Sequence, residues 1–234
     1  MPTVLILVGP EYEDLEVWYP KLRLEEAGYR TPLVGIGESS YRGKHGYPCP
    51  VDGQAADYDA KDLAGILAPG GWAPDKIRRD KDALRLVREV DAAGAMVATI
   101  CHGPWILISA GIVRGRKLTS TVGIRDDVVN AGAEWVDAPV VVDGNFVSAR
   151  VPKDLPAFGK AMVSFLDARR AQVRDEEHTA DDHGRSRTSA DRHCLTSENT
   201  SKSTRLRKRA CLAATRHQTM RSSRRSAGVR TRAA

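Results

Sequence analysis

The stretch 96-MVATICHGPWILISAG-111 decides the fold, because it has the pattern of a buried strand, a short turn and a helix. The apolar run Met96 to Ile100 predicts the strand, and Gly103 to Ala110 predicts the helix. Cys101 and His102 occupy the turn. A thiol there can be lifted out of the sheet and faced by backbone amides and the helix dipole, which favours its ionisation. Free cysteine is also among the most buried residue types, so a purely structural role stays open on this stretch alone.

Outward from this stretch, strand-like and helix-like segments alternate. Continuous apolar runs are typical of strands buried on both faces of a parallel sheet. We therefore expect an α/β fold with a mostly parallel sheet covered by helices, in which sites form at the carboxyl ends of strands. The predicted strands are Thr3 to Val8, Leu63 to Ala68 and Met96 to Ile100; the helices are Glu13 to Ala27, Lys81 to Ala93, Gly103 to Ala110, Gly123 to Ala131 and Leu155 to Arg169; and an Asp-Gly turn predicts a hairpin of Val140–Val142 with Phe146–Ser148.

The net charge of +6 is unevenly distributed along the 234 residues. There are 22 basic and 23 acidic residues up to Arg174, but 14 basic and 7 acidic from Asp175 onward. We predict one core domain over residues 1–172 and a basic, disordered tail over 173–234, whose composition cannot bury enough apolar surface to order the chain. A solvated tail, a weak grip on a polyanion such as nucleic acid, and a non-native extension of the reading frame stay open as interpretations of that tail.

Composition also limits the class of protein. No stretch approaches the roughly 18 consecutive apolar residues of a membrane span, so we expect a cytoplasmic protein with no membrane partner. The four cysteines show no paired C-x-x-C spacing, which argues against a disulfide framework or a zinc site. No metal, nucleotide or flavin signature is present, and we expect no cofactor.

Two further stretches add chemistry to the Cys101 turn. The stretch 68-APGG-71 closes a strand with flexible backbone, so the amide of Gly71 could stand beside that of His102 as a two-donor oxyanion hole. The stretch 11-EYEDLE-16 offers four carboxylates at the end of the first strand. We expect Glu13 to reach Cys101 and the helix dipole to account for the others. A thiolate and a carboxylate in contact repel, so we expect the pair to share one proton.

Together these stretches resemble the ThiJ/PfpI superfamily, and specifically its PfpI-type intracellular protease and deglycase branch. The resemblance runs collinearly over residues 3–168, through 11-EYEDLEVWYPKLRLEEAG-28, 43-GKHGYPCPVD-52, 67-LAPGGWAPDKIR-78, 98-ATICHGPWILISAGIVRGRKLTS-120, 123-GIRDDVVNAGAEWVD-137 and 140-VVVDGNFVSARVPKDL-155. It implies a flavodoxin-like, three-layer sandwich of the class I glutamine amidotransferase type, with a nucleophile elbow, that forms dimers or hexamers.

The resemblance also implies roles for individual residues. Cys101 is the elbow nucleophile, Glu13 the carboxyl group beside its sulfur and His102 the adjacent imidazole, while the Gly71 and His102 amides form the oxyanion hole. Asp75 stands where the branch usually has a glutamate that reaches the histidine of a neighbouring subunit, so we expect it near the interface of a homo-oligomer.

Besides Asp75, whose side chain is one methylene shorter than the usual glutamate, four residues depart from the pattern of the branch. Trp72 and Trp105 flank the site where smaller or polar residues are common, and Thr121-Val122 replaces a frequent aromatic-proline pair. These departures put the protease-type triad in doubt more than the pair of thiol and carboxyl group.

The leading functional hypothesis is a cysteine-dependent hydrolase or deglycase, of the glyoxalase type, in a stress-protective role. It would convert glyoxal and methylglyoxal, or their adducts on protein amines and thiols, to hydroxy acids. An intracellular cysteine peptidase of the PfpI type, in which Asp75 orients His102, is the second hypothesis. The third is a non-enzymatic stress protein, either a redox sensor that uses the Cys101 thiol or a chaperone-like holdase.

Overall fold

A computed structural model describes the backbone of residues 1–194 and the side chains of residues 1–175. Its strands are β1 (Thr3–Leu7), β2 (Leu33–Gly35), β3 (Ser40–Arg42), β4 (Pro48–Pro50), β5 (Gly53–Gln54), β6 (Leu63–Ala68), β7 (Met96–Ile100), β8 (Lys117–Leu118), β9 (Glu134–Trp135), β10 (Val140–Asp143) and β11 (Phe146–Ala149). Its helices are α1 (Asp14–Glu26), α2 (Ala73–Ile77), α3 (Lys81–Ala92), α4 (Pro104–Ala110), α5 (Arg125–Asn130) and α6 (Leu155–Cys194).

The central sheet has seven strands in the order β10-β11-β7-β6-β1-β2-β5. Every neighbouring pair is parallel except β10 and β11, which form the predicted antiparallel hairpin. Helices flank the sheet, and the predicted α/β fold with a mostly parallel sheet is confirmed. The short strands β2, β5, β8 and β9 and the small hairpin of β3 with β4 were not predicted, because two or three residues carry no readable periodicity.

The centre of the sheet explains both the core and the position of the site. Strand β7 is buried along its whole length, as is β1 from Val4 onward, which is why their sequences are continuous apolar runs rather than alternating ones. Strands β1, β6 and β7 are neighbours and run parallel, so their carboxyl ends meet at one edge. The acidic stretch, the Pro-Gly-Gly turn and the Cys-His turn follow these three ends and are brought together there.

Helix α6 differs most from the sequence-based expectation. It continues from Leu155 to Cys194, so the predicted end at Arg169 is wrong and the predicted domain boundary at residues 172 and 173 lies inside the helix. The chain divides into two units, Met1–His183 and Gly184–Ala234, and of the second unit the structure describes residues 184–194, which are helical. The rest of the predicted tail, residues 195–234, lies outside the described residues. No helix within residues 1–194 is long and apolar enough to cross a membrane.

Candidate active site

Cys101 lies at a sharp turn between β7 and α4, with φ at 60°, in the left-handed region that side chains other than glycine rarely adopt. Its backbone N–H donates to the Ala149 carbonyl oxygen at 3.2 Å, and its carbonyl oxygen accepts from the Thr121 N–H at 3.2 Å. The turn brings the backbone of Gly103 so close to strand β6 that a side chain at this position would overlap the Ala68 carbonyl oxygen. The strand-turn-helix elbow read from the sequence is present in the structure.

Two backbone amides point at the Cys101 sulfur. The N–H groups of Gly71 and His102 both hydrogen-bond to the thiol and act to lower its pKa. Gly71 reaches this position with φ at 76°, and a side chain there would overlap the backbone of Glu11 and Glu13. The structure therefore brings Gly71, His102 and Cys101 together as the sequence analysis expected.

The carboxyl group beside Cys101 belongs to Glu16, a residue of the first turn of α1. Its side chain is fully buried, and Oε2 accepts a hydrogen bond of 2.7 Å from the backbone N–H of Gly70. The other oxygen, Oε1, is buried without a well-formed hydrogen bond to any described residue, and the thiol of Cys101 lies within interaction distance of the carboxyl group. Burial, with a smaller contribution from the charge of Glu13, raises the pKa of Glu16 to about 8, so Glu16 holds a proton at neutral pH.

The choice of Glu13 as the partner of Cys101 is corrected by this geometry. Helix α1 begins at Asp14, so Glu13 is its extended N-cap residue. The carboxylate of Glu13 faces the loop between β3 and β4, where its oxygens lie 3.5 Å from Lys44 Nζ and 3.4 Å from His45 Nε2. Three residues later the first helical turn points Glu16 inward, in register with the buried residues Pro20 and Leu24. That 16-20-24 spacing was the sequence signal that could have identified Glu16.

His102 presents its Nδ1 atom to Cys101, with 3.2 Å between Nδ1 and Sγ. Burial lowers the pKa of the imidazole, and the positive charge of Lys44 lowers it further, so the ring is neutral at pH 7. A neutral imidazole with an unprotonated Nδ1 is able to accept the thiol proton.

The protonation state of the Cys101 thiol depends on whether the neighbouring Glu16 carboxyl group is protonated. Burial raises the pKa of Cys101 and the charge of an ionised Glu16 raises it further, and together they outweigh the two amides, so the expected ease of ionisation does not hold while Glu16 is ionised. When Glu16 holds the proton, the repulsion disappears, and the carboxyl O–H and both amides can donate to a thiolate. Cys101 and Glu16 are therefore a coupled pair.

Asp75 lies on α2, and its carboxylate is bound by Lys76 of the same helix and by Arg79, which follows the end of α2. Both carboxylate oxygens accept hydrogen bonds from Arg79, at 2.7 and 2.8 Å, and Lys76 Nζ lies 3.5 Å away. These contacts lower the pKa of Asp75. A contact between Asp75 and His102 of another subunit stays a prediction.

One group of potential metal ligands lies beside the site. Single ligand atoms of Glu13, Asp14 and His45 all fall within 4.8 Å of one another. Both Asp14 oxygens accept backbone amides, from His45 at 2.9 Å and Tyr47 at 3.2 Å, and Glu13 faces Lys44. The cluster is thus held together by internal hydrogen bonds and an ammonium group.

Comparison with known proteins identifies the family to which this chain belongs. A family model described as the DJ-1/PfpI family matches residues 2–165. The chain belongs to the DJ-1/PfpI family. The resemblance read from the Cys-His, Pro-Gly-Gly and acidic stretches is thereby confirmed.

Members of the DJ-1/PfpI family from archaea are similar over most of their length. The chain is 47% identical over 163 residues to Deglycase PH1704 of Pyrococcus horikoshii, covering 70% of this chain and 98% of that protein. It is 45% identical over 163 residues to Deglycase PfpI of Pyrococcus furiosus, with the same two coverages.

Solved structures of the DJ-1/PfpI family share the fold. A two-domain protein of Anabaena variabilis, with DJ-1/ThiJ/PfpI-like and ferritin-like domains, is 37% identical with a TM-score of 0.69; the match covers 71% of this chain and 48% of that one. Drosophila melanogaster DJ-1beta is 24% identical with a TM-score of 0.66, over 70% of this chain and 90% of that one, and shows the fold alone. The flavodoxin-like sandwich is thus confirmed.

Proposed function

We propose that this chain is a cysteine-dependent hydrolase of the deglycase type, which converts small reactive dicarbonyls, or their adducts on amines and thiols, to hydroxy acids. The observation that carries the proposal is the Cys101 thiol on its strained elbow, faced by the buried Glu16 carboxyl group and by two backbone amides. Relatives at 45 to 47% identity are named deglycases, which supports the same class of reaction here.

The first step is addition of sulfur to the aldehyde carbon. His102 Nδ1 takes the thiol proton, the sulfur of Cys101 forms a bond to carbon, and the carbonyl oxygen receives the proton to give a hemithioacetal. The amides of Gly71 and His102 hydrogen-bond to the thiol sulfur and so lie within reach of the oxygen on the attacked carbon, which they stabilise as it gains charge.

The second step moves a proton between adjacent carbons. Glu16, once ionised, removes the proton from the former aldehyde carbon to give an enediolate and returns it to the neighbouring carbon. The hydroxyl proton passes to the neighbouring oxygen, which leaves a thioester of the hydroxy acid. A raised pKa suits Glu16 to this exchange, because the carboxyl group gives and takes a proton near neutral pH. Water activated by His102 then cleaves the thioester, restores the thiol and, from methylglyoxal, releases lactate.

Lactate formation from methylglyoxal tests the proposal. The purified chain is expected to produce lactate, and Cys101→Ala is expected to produce none above the uncatalysed rate. Cys49→Ala is the matched control, because Cys49 is a buried thiol on β4 outside the site. The proposal fails if the wild type forms no lactate, or if Cys101→Ala forms it as fast as the wild type.

A peptidase of the PfpI type draws less support from the described chain. Its triad needs the Asp75 carboxylate beside His102, whereas here Arg79 and Lys76 bind that carboxylate. Hydrolysis of a fluorogenic peptide that depends on Cys101, and that is lost in Asp75→Ala, would favour the peptidase.

A further inference from the structure

Two indole rings contact the imidazole of His102 from two different elements. The Trp72 ring, at the start of α2, lies 5.6 Å from it between centroids with an interplanar angle of 37°. The Trp105 ring, on α4, lies 5.2 Å away at 58°. These separations and tilts are those of favourable aromatic pairs. The neutral ring of His102 is thus packed on aromatic surface while its Nδ1 atom faces the sulfur.

Trp105 is itself held in place. Its Nε1–H donates a hydrogen bond of 2.8 Å to Oδ2 of Asp127 on α5. The guanidinium of Arg78 lies 5.6 Å from the ring centroid, and Arg78 Nε donates to Ser109 Oγ at 2.9 Å. A ring anchored on both its edge and its face loses little further freedom when it contacts His102.

A histidine that acts on a cysteine needs a third group to fix its orientation, and that group is commonly a carboxylate. Asp75, the residue expected in this role, is bound by Arg79 and Lys76. We propose that Trp72 and Trp105 are the positioning residues that hold His102 Nδ1 toward Cys101 within a single chain, and that Asp127 acts through Trp105. The inference deepens the proposed function and rests on the same pair of His102 and Cys101.

The indoles have a second effect, on the charge of the imidazole. They cover part of His102, and burial is the main cause of its lowered pKa. Removal of either ring lets water reach the imidazole and returns its pKa toward the ordinary value. The acid limb of any reaction that needs neutral His102 then moves to higher pH.

Alkylation of Cys101 tests the proposal without any substrate. The probe is iodoacetamide, the rate is followed between pH 5 and 9, and peptide mass spectrometry assigns the product to Cys101. Trp72→Leu, Trp105→Leu and Asp127→Ala are each expected to slow alkylation at pH 7 by on the order of tenfold, because the imidazole then accepts the thiol proton from a less well-aligned position. In both Leu variants the acid limb moves to higher pH.

Asp127→Ala is the variant that protects the test against misfolding, because Asp127 is exposed and its removal leaves both indoles in the chain. Asp127→Asn keeps an acceptor for the Trp105 N–H and is expected to restore the rate to within about twofold of wild type. Trp18→Phe is the matched control, since the indole of Trp18 donates to Tyr12 and not to the site.

The outcomes separate this proposal from its alternatives. If all three variants alkylate at the wild-type rate or faster, the indoles only shield the thiol and the positioning role is overturned. If the Leu variants are slow but Asp127→Ala is not, the part assigned to Asp127 is overturned and the indole contacts are supported. A chain that forms no lactate but shows the expected alkylation pattern contradicts the proposed function and supports the positioning of His102.

Discussion

At the scale of single residues, Glu16 is a polar residue on the buried face of a helix, where the hydrophobic pattern predicts an apolar one. The helix Glu13 to Ala27 is indicated by the helical spacing of Leu15, Trp18 and Leu22, yet Leu15 and Leu22 are 57% and 62% exposed in the structure. The buried residues of the helix are Val17, Pro20, Leu24 and Glu16, so the inward face includes a carboxyl group, which lies beside Cys101. Hydrophobic periodicity finds the helix but assigns its faces wrongly when the buried residue is polar.

The buried carboxyl group of Glu16 is costly to the folded state. An unperturbed glutamate in the unfolded chain loses its proton near pH 4.5, whereas Glu16 in the folded chain keeps it to about pH 8. The unfolded state therefore binds fewer protons between these two values, and stability falls as pH rises from 4.5 to 8. At 1.36 kcal/mol for each unit, this loss reaches about 3 kcal/mol at pH 7.

Glu16→Gln is accordingly expected to raise the free energy of unfolding at pH 7 by on the order of 2 kcal/mol, since the amide still accepts from Gly70 and cannot ionise. At pH 4 the gain is expected to vanish. Urea denaturation at both pH values measures it, with the exposed Glu38→Gln as control. A destabilised Glu16→Gln protein at pH 7 would contradict the assigned pKa shift.

At the scale of elements, the elbow depends on the close approach of two backbones. Gly103 lies under β6, and an added Cβ would overlap the Ala68 carbonyl oxygen and Thr99 Oγ1. Gly123 has no atom within 4 Å of the corresponding position. The two glycines therefore form a matched pair for substitution.

Gly103→Ala is expected to lower the free energy of unfolding by about 2 kcal/mol or more, as overpacking does. It is also expected to slow the alkylation of Cys101 below the wild-type rate. Gly123→Ala is expected to change stability by less than about 1 kcal/mol. Thermal unfolding and iodoacetamide labelling give both quantities. Equal behaviour of the two variants would show that the elbow is not constrained as described.

The elements differ in how well the sequence predicts them. Strands β6 and β7 begin and end where their apolar runs do, and α1 and α3 lie within one residue of their predicted ends at both termini. Long apolar runs and capping residues such as Asp80 carry this information locally. The contact of Glu16 with Cys101 joins residues 85 positions apart, so it depends on sheet order that no local pattern contains.

At the scale of the whole molecule, the order of the strands assembles the site. Strands β1, β6 and β7 are adjacent, so three stretches distant in sequence meet at one edge of the sheet. The C-terminal boundary was harder to predict, because composition distinguishes a packed helix from an unpacked one only weakly. Leu166 is the last side chain of α6 that is buried among residues 1–175, and residues 171–175 are exposed.

A chain that ends at Arg174 is therefore expected to unfold at the same temperature as the full chain, within about 2 °C. Leu166→Ala in either chain removes a buried side chain and is expected to cost about 2–5 kcal/mol. Calorimetry of the four proteins measures both effects. A truncated chain that unfolds well below the full chain would show that residues beyond 174 stabilise the core.

The central claim is that the thiol of Cys101 works with the carboxyl group of Glu16, and the most direct measurement compares two matched substitutions. Lactate formation from methylglyoxal is followed for Glu16→Gln and Glu13→Gln beside the wild type. The account predicts that Glu16→Gln loses at least about a hundredfold in rate, as expected for loss of a general base, while Glu13→Gln keeps measurable turnover. Turnover retained in Glu16→Gln and lost in Glu13→Gln would contradict it.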